Sequence, residues 1–158
     1  MPAAAIKLAG AEKSGYTFSG WYSDSSLKKK VTQIPKGATG DIELYAKWVP
    51  INYSIRYNLD RGINSKSNPT TYTIESPRIR FLAATKKGYA FDGWYLDSAL
   101  TNQIYAIESG NIGSIILYAK WSPAVFTVKF DGNGSTSGKM PDTDMTGAHE
   151  ITIPKTVI

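Results

Sequence analysis

Residues 15–22, Gly15-Tyr16-Thr17-Phe18-Ser19-Gly20-Trp21-Tyr22, return as Gly88-Tyr89-Ala90-Phe91-Asp92-Gly93-Trp94-Tyr95, 73 residues further on. The same displacement carries Leu44-Tyr45-Ala46-Lys47-Trp48 unchanged onto Leu117-Tyr118-Ala119-Lys120-Trp121. It also carries Asp24, Ser25 and Leu27 onto Asp97, Ser98 and Leu100, and Gly37 and Gly40 onto Gly110 and Gly113. Tyr53-x-Ile55-x-Tyr57 becomes Phe126-x-Val128-x-Phe130 at that spacing. Past Gly134 the register slips by one, so that Ile79-Arg80-Phe81 aligns with Ile151-Thr152-Ile153. A surface loop tolerates such a change. Separate blocks sharing one displacement define an internal repeat, and a repeat has to be recognised before any fold is assigned.

The repeat can be divided in two phases. In one, 51–123 is a complete unit, flanked by the second half of a unit at 1–50 and the first half of another at 124–158. In the permuted phase, 6–78 and 79–151 are two full copies. The flanking halves are complementary, since Phe126–Ile153 supplies strands that Ile6–Trp48 lacks. Apolar strand faces and unpaired edges are unstable in water, so neither half is expected to remain a loose tail.

Period-two alternation of apolar and polar residues marks strands. Tyr53-Ser-Ile55-Arg-Tyr57 has it, as do Phe126-Thr-Val128-Lys-Phe130 and Tyr16-Thr-Phe18-Ser-Gly20. In Ile42–Trp48 it places 42, 44, 46 and 48 on one face and Glu43, Tyr45 and Lys47 on the other. Thr71–Ile74 and Ile79–Phe81 read as further short strands. Turn chemistry follows at Asn58–Gly62 and Asp131-Gly132-Asn133-Gly134. Residues 24–34 and 97–107 leave room for a helical turn. The expected class is α+β, strand-dominated, built of tandem units of about 73 residues.

The chain has no cysteine, and a unit of this size is marginal without disulfides. Large rings compensate, because 4 Trp, 10 Tyr and 5 Phe concentrate in the repeated motifs. The expected core residues are Phe18, Trp21, Leu44 and Trp48, with Phe91, Trp94, Leu117 and Trp121 as their second-copy counterparts. Tyr45 and Tyr118 fall on the opposite face and are the candidates for contact with a ligand.

The motifs Tyr57-Asn58-Leu59-Asp60-x-Gly62, Gly88-Tyr89-x-Phe91-Asp92-Gly93-Trp94-Tyr95 and Leu117–Trp121 resemble the Listeria–Bacteroides repeat, the family that includes the internalin B-repeat. The resemblance runs from about Ile6 to Ile153. It implies a small β-grasp-like unit used in tandem in secreted and cell-surface proteins of bacteria, as stalk, spacer or adhesion module, with no catalytic residues. Extracellular, surface location is likewise its implication. Arg61 and Ile63 depart from the family, which tends to have Gly and Thr there.

Composition narrows the remaining classes. With 42% hydrophobic and 20% charged residues the chain reads as folded. No apolar stretch approaches the ~18 residues of a membrane-spanning helix. The first residues do not form a signal peptide, so any export signal is expected outside this sequence. Net charge is +5, but Lys28-Lys29-Lys30 is replaced by Thr101-Asn102-Gln103 in the second copy, so it reads as a solvated face and no nucleic-acid partner is expected. The single histidine, His149, has Ser76 as its counterpart, and no nucleophile–base set accompanies it. Asp131-Gly-Asn133-Gly-Ser135 lacks the glycine and glutamate of a calcium loop further on, where Thr136 and Asp142 stand. Lys47 and Lys120 point away from the core, unlike an isopeptide-forming lysine. The expectation is a non-catalytic repeat module with no cofactor or metal. Its partners would be neighbouring repeats and a cell-wall or host surface glycan or protein. The alternative reading is a glycan-binding module that uses exposed tyrosines.

Overall fold

The computed structural model describes residues 1–131, 133, 134, 136 and 143–146. His149 and Ile151–Ile153 lie outside them. The strands are β1 (Ile6–Lys7), β2 (Tyr16–Tyr22), β3 (Lys30–Val31), β4 (Gln33–Ile34), β5 (Tyr45–Pro50), β6 (Tyr53–Asn58) and β7 (Thr71–Tyr72). They continue as β8 (Ile79–Arg80), β9 (Tyr89–Tyr95), β10 (Gln103–Ile104), β11 (Ala106–Ile107), β12 (Ile115–Pro123), β13 (Val125–Val128) and β14 (Thr143–Thr146). The fold is strand-dominated, and the described residues contain no helix. The helical part of the α+β expectation is therefore corrected.

By internal contacts the chain divides into two compact units. One comprises Met1–Ser54, Thr71–Ile79 and Ile107–Ser114, and the other Ile55–Thr70, Arg80–Ala106 and Ile115–Ile158. In the first, β2 pairs antiparallel with β3 and with β5, β1 pairs with β4, and the start of β6 pairs with β7 through Tyr53↔Tyr72 and Ser54↔Thr71. Its buried apolar residues are Tyr22, Tyr72 and Ile107. The Tyr72 hydroxyl donates to the Gly113 carbonyl, and that of Tyr16 to Glu75 Oε1 at 3.0 Å.

In the second unit β9 lies between β10 and β12, and β12 pairs on its far side with β6. The β9–β12 pairing is antiparallel, whereas β12 and β6 run parallel through Ile115↔Ile55, Ile116↔Arg56, Leu117↔Tyr57 and Tyr118↔Asn58. Ile55, Ala84, Trp94, Tyr95, Leu117 and Ala119 form the buried apolar core of this unit.

The elements keep the 73-residue displacement of the sequence. β2 and β3 recur as β9 and β10, the β1–β4 pair recurs as β8–β11, and the β6–β7 hairpin recurs as β13–β14. Even the registers agree, for Tyr53↔Tyr72 becomes Phe126↔Met145 at the full 73, so the one-residue slip expected past Gly134 does not show at β14. One element differs. β12 begins at Ile115, but its counterpart β5 begins only at Tyr45. The expected strand over Ile42–Trp48 is therefore shorter at its start, and among the described residues no strand corresponding to β6 pairs with Ile42–Leu44.

Where a helical turn had room, an aspartate-anchored loop forms. Asp97 accepts hydrogen bonds from the backbone N–H of Thr101 and Asn102, at 3.1 and 2.7 Å, and from the Thr101 hydroxyl at 2.6 Å. Asp24 does the same for Lys28, Lys29 and the Ser26 hydroxyl. Leu27 and Leu100 turn the chain at φ of 55° and 57°. A carboxylate so occupied outcompetes the helical ladder for these N–H groups. The Ser26 hydroxyl, followed by the Lys29 N–H, holds Asp24 below the usual carboxylate range, and the Thr101 hydroxyl, followed by the Asn102 N–H, does so for Asp97. A depressed pKa gives stability that is present above the unfolded value and is lost as pH falls through the folded one. Asp97→Ala should therefore melt at lower temperature near neutrality and lose less of its remaining stability than the parent between about pH 5 and pH 2. Parallel acid titrations followed by circular dichroism check this.

Candidate functional site

The residues carried by the repeat converge on one ring cluster per copy. Strict alternation along β2 puts Phe18 and Trp21 on opposite faces. The pairing with β5 instead runs Phe18↔Trp48 and then Gly20↔Lys47, skipping Ser19. That extra residue is a β-bulge, and it turns Phe18 and Trp21 to the same side. Their ring centroids are 5.3 Å apart, edge to face, and Phe18 meets Trp48 at 5.6 Å. The second copy repeats this with Asp92 skipped, Phe91–Trp94 at 5.1 Å and Phe91–Trp121 at 5.4 Å. Gly20 and Gly93, both at φ 128°, follow the bulged residues.

Indole N–H groups lock the clusters to the backbone. Trp21 donates to the Ala9 carbonyl at 2.6 Å, and Trp94 to the equivalent Leu82 carbonyl at 2.9 Å. Trp121 donates to the Leu59 carbonyl at 2.9 Å. Among the expected core residues Trp94 is 2% exposed and Leu117 0%. Phe91 and Trp121 are half-buried, as are Phe18, Trp21, Leu44 and Trp48 of the first copy.

Tyr57 accounts for part of that difference. Its ring lies 5.2 Å from Trp94 and 6.4 Å from Phe81. Its hydroxyl donates to the Pro69 carbonyl at 2.6 Å, and burial pushes its pKa up to about 12. A raised pKa means stability that is complete below the unfolded value of 10 and declines as pH climbs through the folded one. Tyr57→Phe should remove the part of alkaline destabilisation between about pH 10 and pH 12 that this hydroxyl causes, on the order of 1 kcal/mol after allowance for partial exposure. Urea melts across that window would show it.

On the other face Tyr22 and Tyr95 are each 8% exposed. Lys47 Nζ sits 5.7 Å from the Tyr22 ring and Lys120 Nζ 5.4 Å from the Tyr95 ring. Tyr45 and Tyr118, the candidates for ligand contact, are half-buried. A hydrogen bond with Glu43 pushes the Tyr45 pKa up. Tyr105, at 71% exposed, presents far more ring to solvent, and Tyr89 is 39% exposed.

Two recurring lysines escaped the sequence reading although their spacing was visible. Lys13 Nζ lies 4.1 Å from the Tyr16 ring and 5.9 Å from that of Trp48. Lys86 does the same over Tyr89 and Trp121, at 4.4 and 5.8 Å, and reaches Asp60 at 3.2 Å. Asn68, only 6% exposed, was invisible because nothing repeats it. Its amide donates to Asn64 Oδ1 and the Leu82 carbonyl and accepts from the Leu82 N–H, pinning the 59–70 loop. At the Asp131 turn, the Asn133 N–H donates to Asp131 Oδ1 at 2.8 Å, with Asn133 and Gly134 at φ of 44° and 84°. No group of three or more His, Asp or Glu among the described residues is placed to hold a metal ion.

The model of the Listeria-Bacteroides repeat domain matches residues 3–47 and 53–120. The chain belongs to the Listeria-Bacteroides repeat family. A protein designated a Gly-rich membrane protein of Evansella cellulosilytica is 35% identical over 146 residues, which is 90% of this chain and 16% of the relative. A second membrane protein of that organism is 33% identical over 79% of this chain and 18% of its own length. Internalin H of Listeria monocytogenes is 31% identical over 70% of this chain and 20% of its own. The chain thus spans a fifth or less of each of these relatives. No solved structure matches it. The signature of the Listeria-Bacteroides repeat is accounted for physically: its glycine admits the bulge, and its rings and leucine build the cluster.

Proposed function

We propose that this chain is a non-catalytic tandem-repeat module of a bacterial surface or secreted protein, serving as stalk or adhesion scaffold. The observation that carries this reading is where the repeated residues are spent. Trp21, Trp48, Trp94 and Trp121 with their phenylalanines go into ring clusters and backbone hydrogen bonds. The membrane-protein and internalin names of the relatives support an envelope or extracellular setting.

We take 51–123 as the unit. In support, β6 near its start pairs with β12 at its end, and the order β7-β6-β12-β9, with its central pair parallel, is the strand order of a β-grasp. Small-angle scattering on chains carrying one, two and four copies of the unit tests the stalk reading. The maximum dimension should rise in proportion to copy number, and a dimension that saturates would contradict it. Glycan binding is favoured by one feature, the exposed rings of Tyr105 and Tyr89. A glycan array probed with the parent and with Tyr105→Ala separates the two, since a pure stalk gives no signal with either.

A further inference from the structure

One turn of the second unit is built with a residue that its backbone disfavours. The Gly62 N–H donates to the Leu59 carbonyl at 2.9 Å, and between them Asp60 and Arg61 have φ of 45° and 68°. Two successive positive φ values define a turn that favours Asn-Gly. The equivalent positions 73 residues on hold that pair, with Asn133 at 44° and Gly134 at 84°. Arg61 carries a Cβ into a region where glycine fits without strain. Strained residues that the fold does not require gather at functional sites.

The surroundings of Arg61 are basic and firmly anchored. Ile63 forms an antiparallel bridge with Thr85, a register that sets Arg61 level with Lys87. Lys86 ties the two segments together through Asp60 at 3.2 Å, the one ion pair of this unit among the described residues. Asp60 is also the only carboxylate in 58–68 or 84–89, so the salt bridge occupies it. Arg61, Lys66 and Lys87 are exposed and have no carboxylate partner among the described residues. Like charges set side by side repel, which leaves the patch short of negative charge. Ile63 adds an apolar side chain that is 71% exposed. Beneath the turn the Trp121 indole donates to the Leu59 carbonyl at 2.9 Å. The turn that carries Lys66 is fixed by Asn68, whose amide donates to Asn64 and to the Leu82 carbonyl.

We infer that Arg61, Lys66 and Lys87, grouped around Ile63, form a binding site for an anionic polysaccharide. The choice of a glycan rests on the envelope setting proposed above, while the demand for an anion comes from the unpaired cations themselves. The planar guanidinium of Arg61 can pair with an oxyanion through two hydrogen bonds, and the two lysines act as point charges along the polymer. Ile63 offers contact to the C–H face of a sugar ring. A loop already anchored by Trp121 and Asn68 has little freedom left to lose on binding.

Titration calorimetry of the full chain with heparin and with polygalacturonate, one sulfated and one carboxylated, tests the site. At least one should bind, with an affinity that falls as salt is raised. Arg61→Gly should weaken that binding ~3–5-fold while melting no lower than the parent. The triple variant Arg61→Gly, Lys66→Gln and Lys87→Gln should lose ~10-fold or more. A second triple variant, Lys28→Thr, Lys29→Asn and Lys30→Gln, removes the same charge and installs the residues of the second copy. It should change the affinity less than ~2-fold. Equal losses from the two triple variants would reduce the effect to net charge and overturn the inference. So would a chain that binds neither polysaccharide, duplex DNA bound as tightly as either, or an Arg61→Gly variant that melts below the parent. Any of these would leave the stalk reading standing, because the scattering series tests that separately.

Discussion

Replacing Trp94 by alanine should cost ~3–5 kcal/mol and leave its unit largely unfolded at ambient temperature. The ring is 2% exposed and edge-on to both Phe91 and Tyr57, so its removal opens a cavity bounded by rigid rings. The Leu82 carbonyl also loses its indole donor. Trp21→Ala makes the same chemical change in a half-buried ring, and should cost less than about 2 kcal/mol. Urea unfolding followed by circular dichroism measures both. Equal losses would mean that the fuller burial of Trp94 and its contact with Tyr57 have no energetic consequence.

Gly93→Ala should cost ~1–3 kcal/mol, chiefly through the backbone. At φ 128° a residue with a Cβ is strained whatever room surrounds it. The added Cβ would also lie 2.4 Å from the Gln103 amide nitrogen, but that is the tip of a flexible side chain, which swings aside cheaply. Combining Gly93→Ala with Gln103→Ala should therefore recover little. Straightening the bulge would turn Trp94 away from Phe91, so the near-ultraviolet circular dichroism of the aromatic cluster should weaken along with stability. Full recovery in the double variant would place the cost in the clash rather than in the bulge.

The repeat made much of this architecture legible. Alternation located the long strands. What alternation hides is the bulge beside Gly20 and Gly93, because period-two reasoning assumes that no residue is skipped. Phe18 and Trp21 both belong to the expected core, and it is the bulge that brings them onto one face. The Asp24 and Asp97 loops were taken for helical room because a carboxylate capturing N–H groups at i+4 and i+5 has the same length as a helical turn. The parallel partnership of β6 and β12 joins residues some sixty positions apart, and no local pattern encodes it. On the outer face, Lys47 and Lys120 lie over Tyr22 and Tyr95, contacts between neighbouring strands that alternation along one strand does not show.

The pairing of β6 with β12 sets how the molecule answers a pull. The chain enters β6 at Tyr53 and leaves β12 at Pro123, and the two strands are parallel neighbours. Tension applied through the ends of the 51–123 segment drags these strands past one another along their length. Every hydrogen bond between Ile55–Asn58 and Ile115–Tyr118 is then loaded in shear at once, whereas a hairpin pulled at its open end unzips one bond at a time. Rupture under tension follows the unfolding rate rather than the equilibrium stability. A segment wired this way resists being drawn out far better than its modest core suggests.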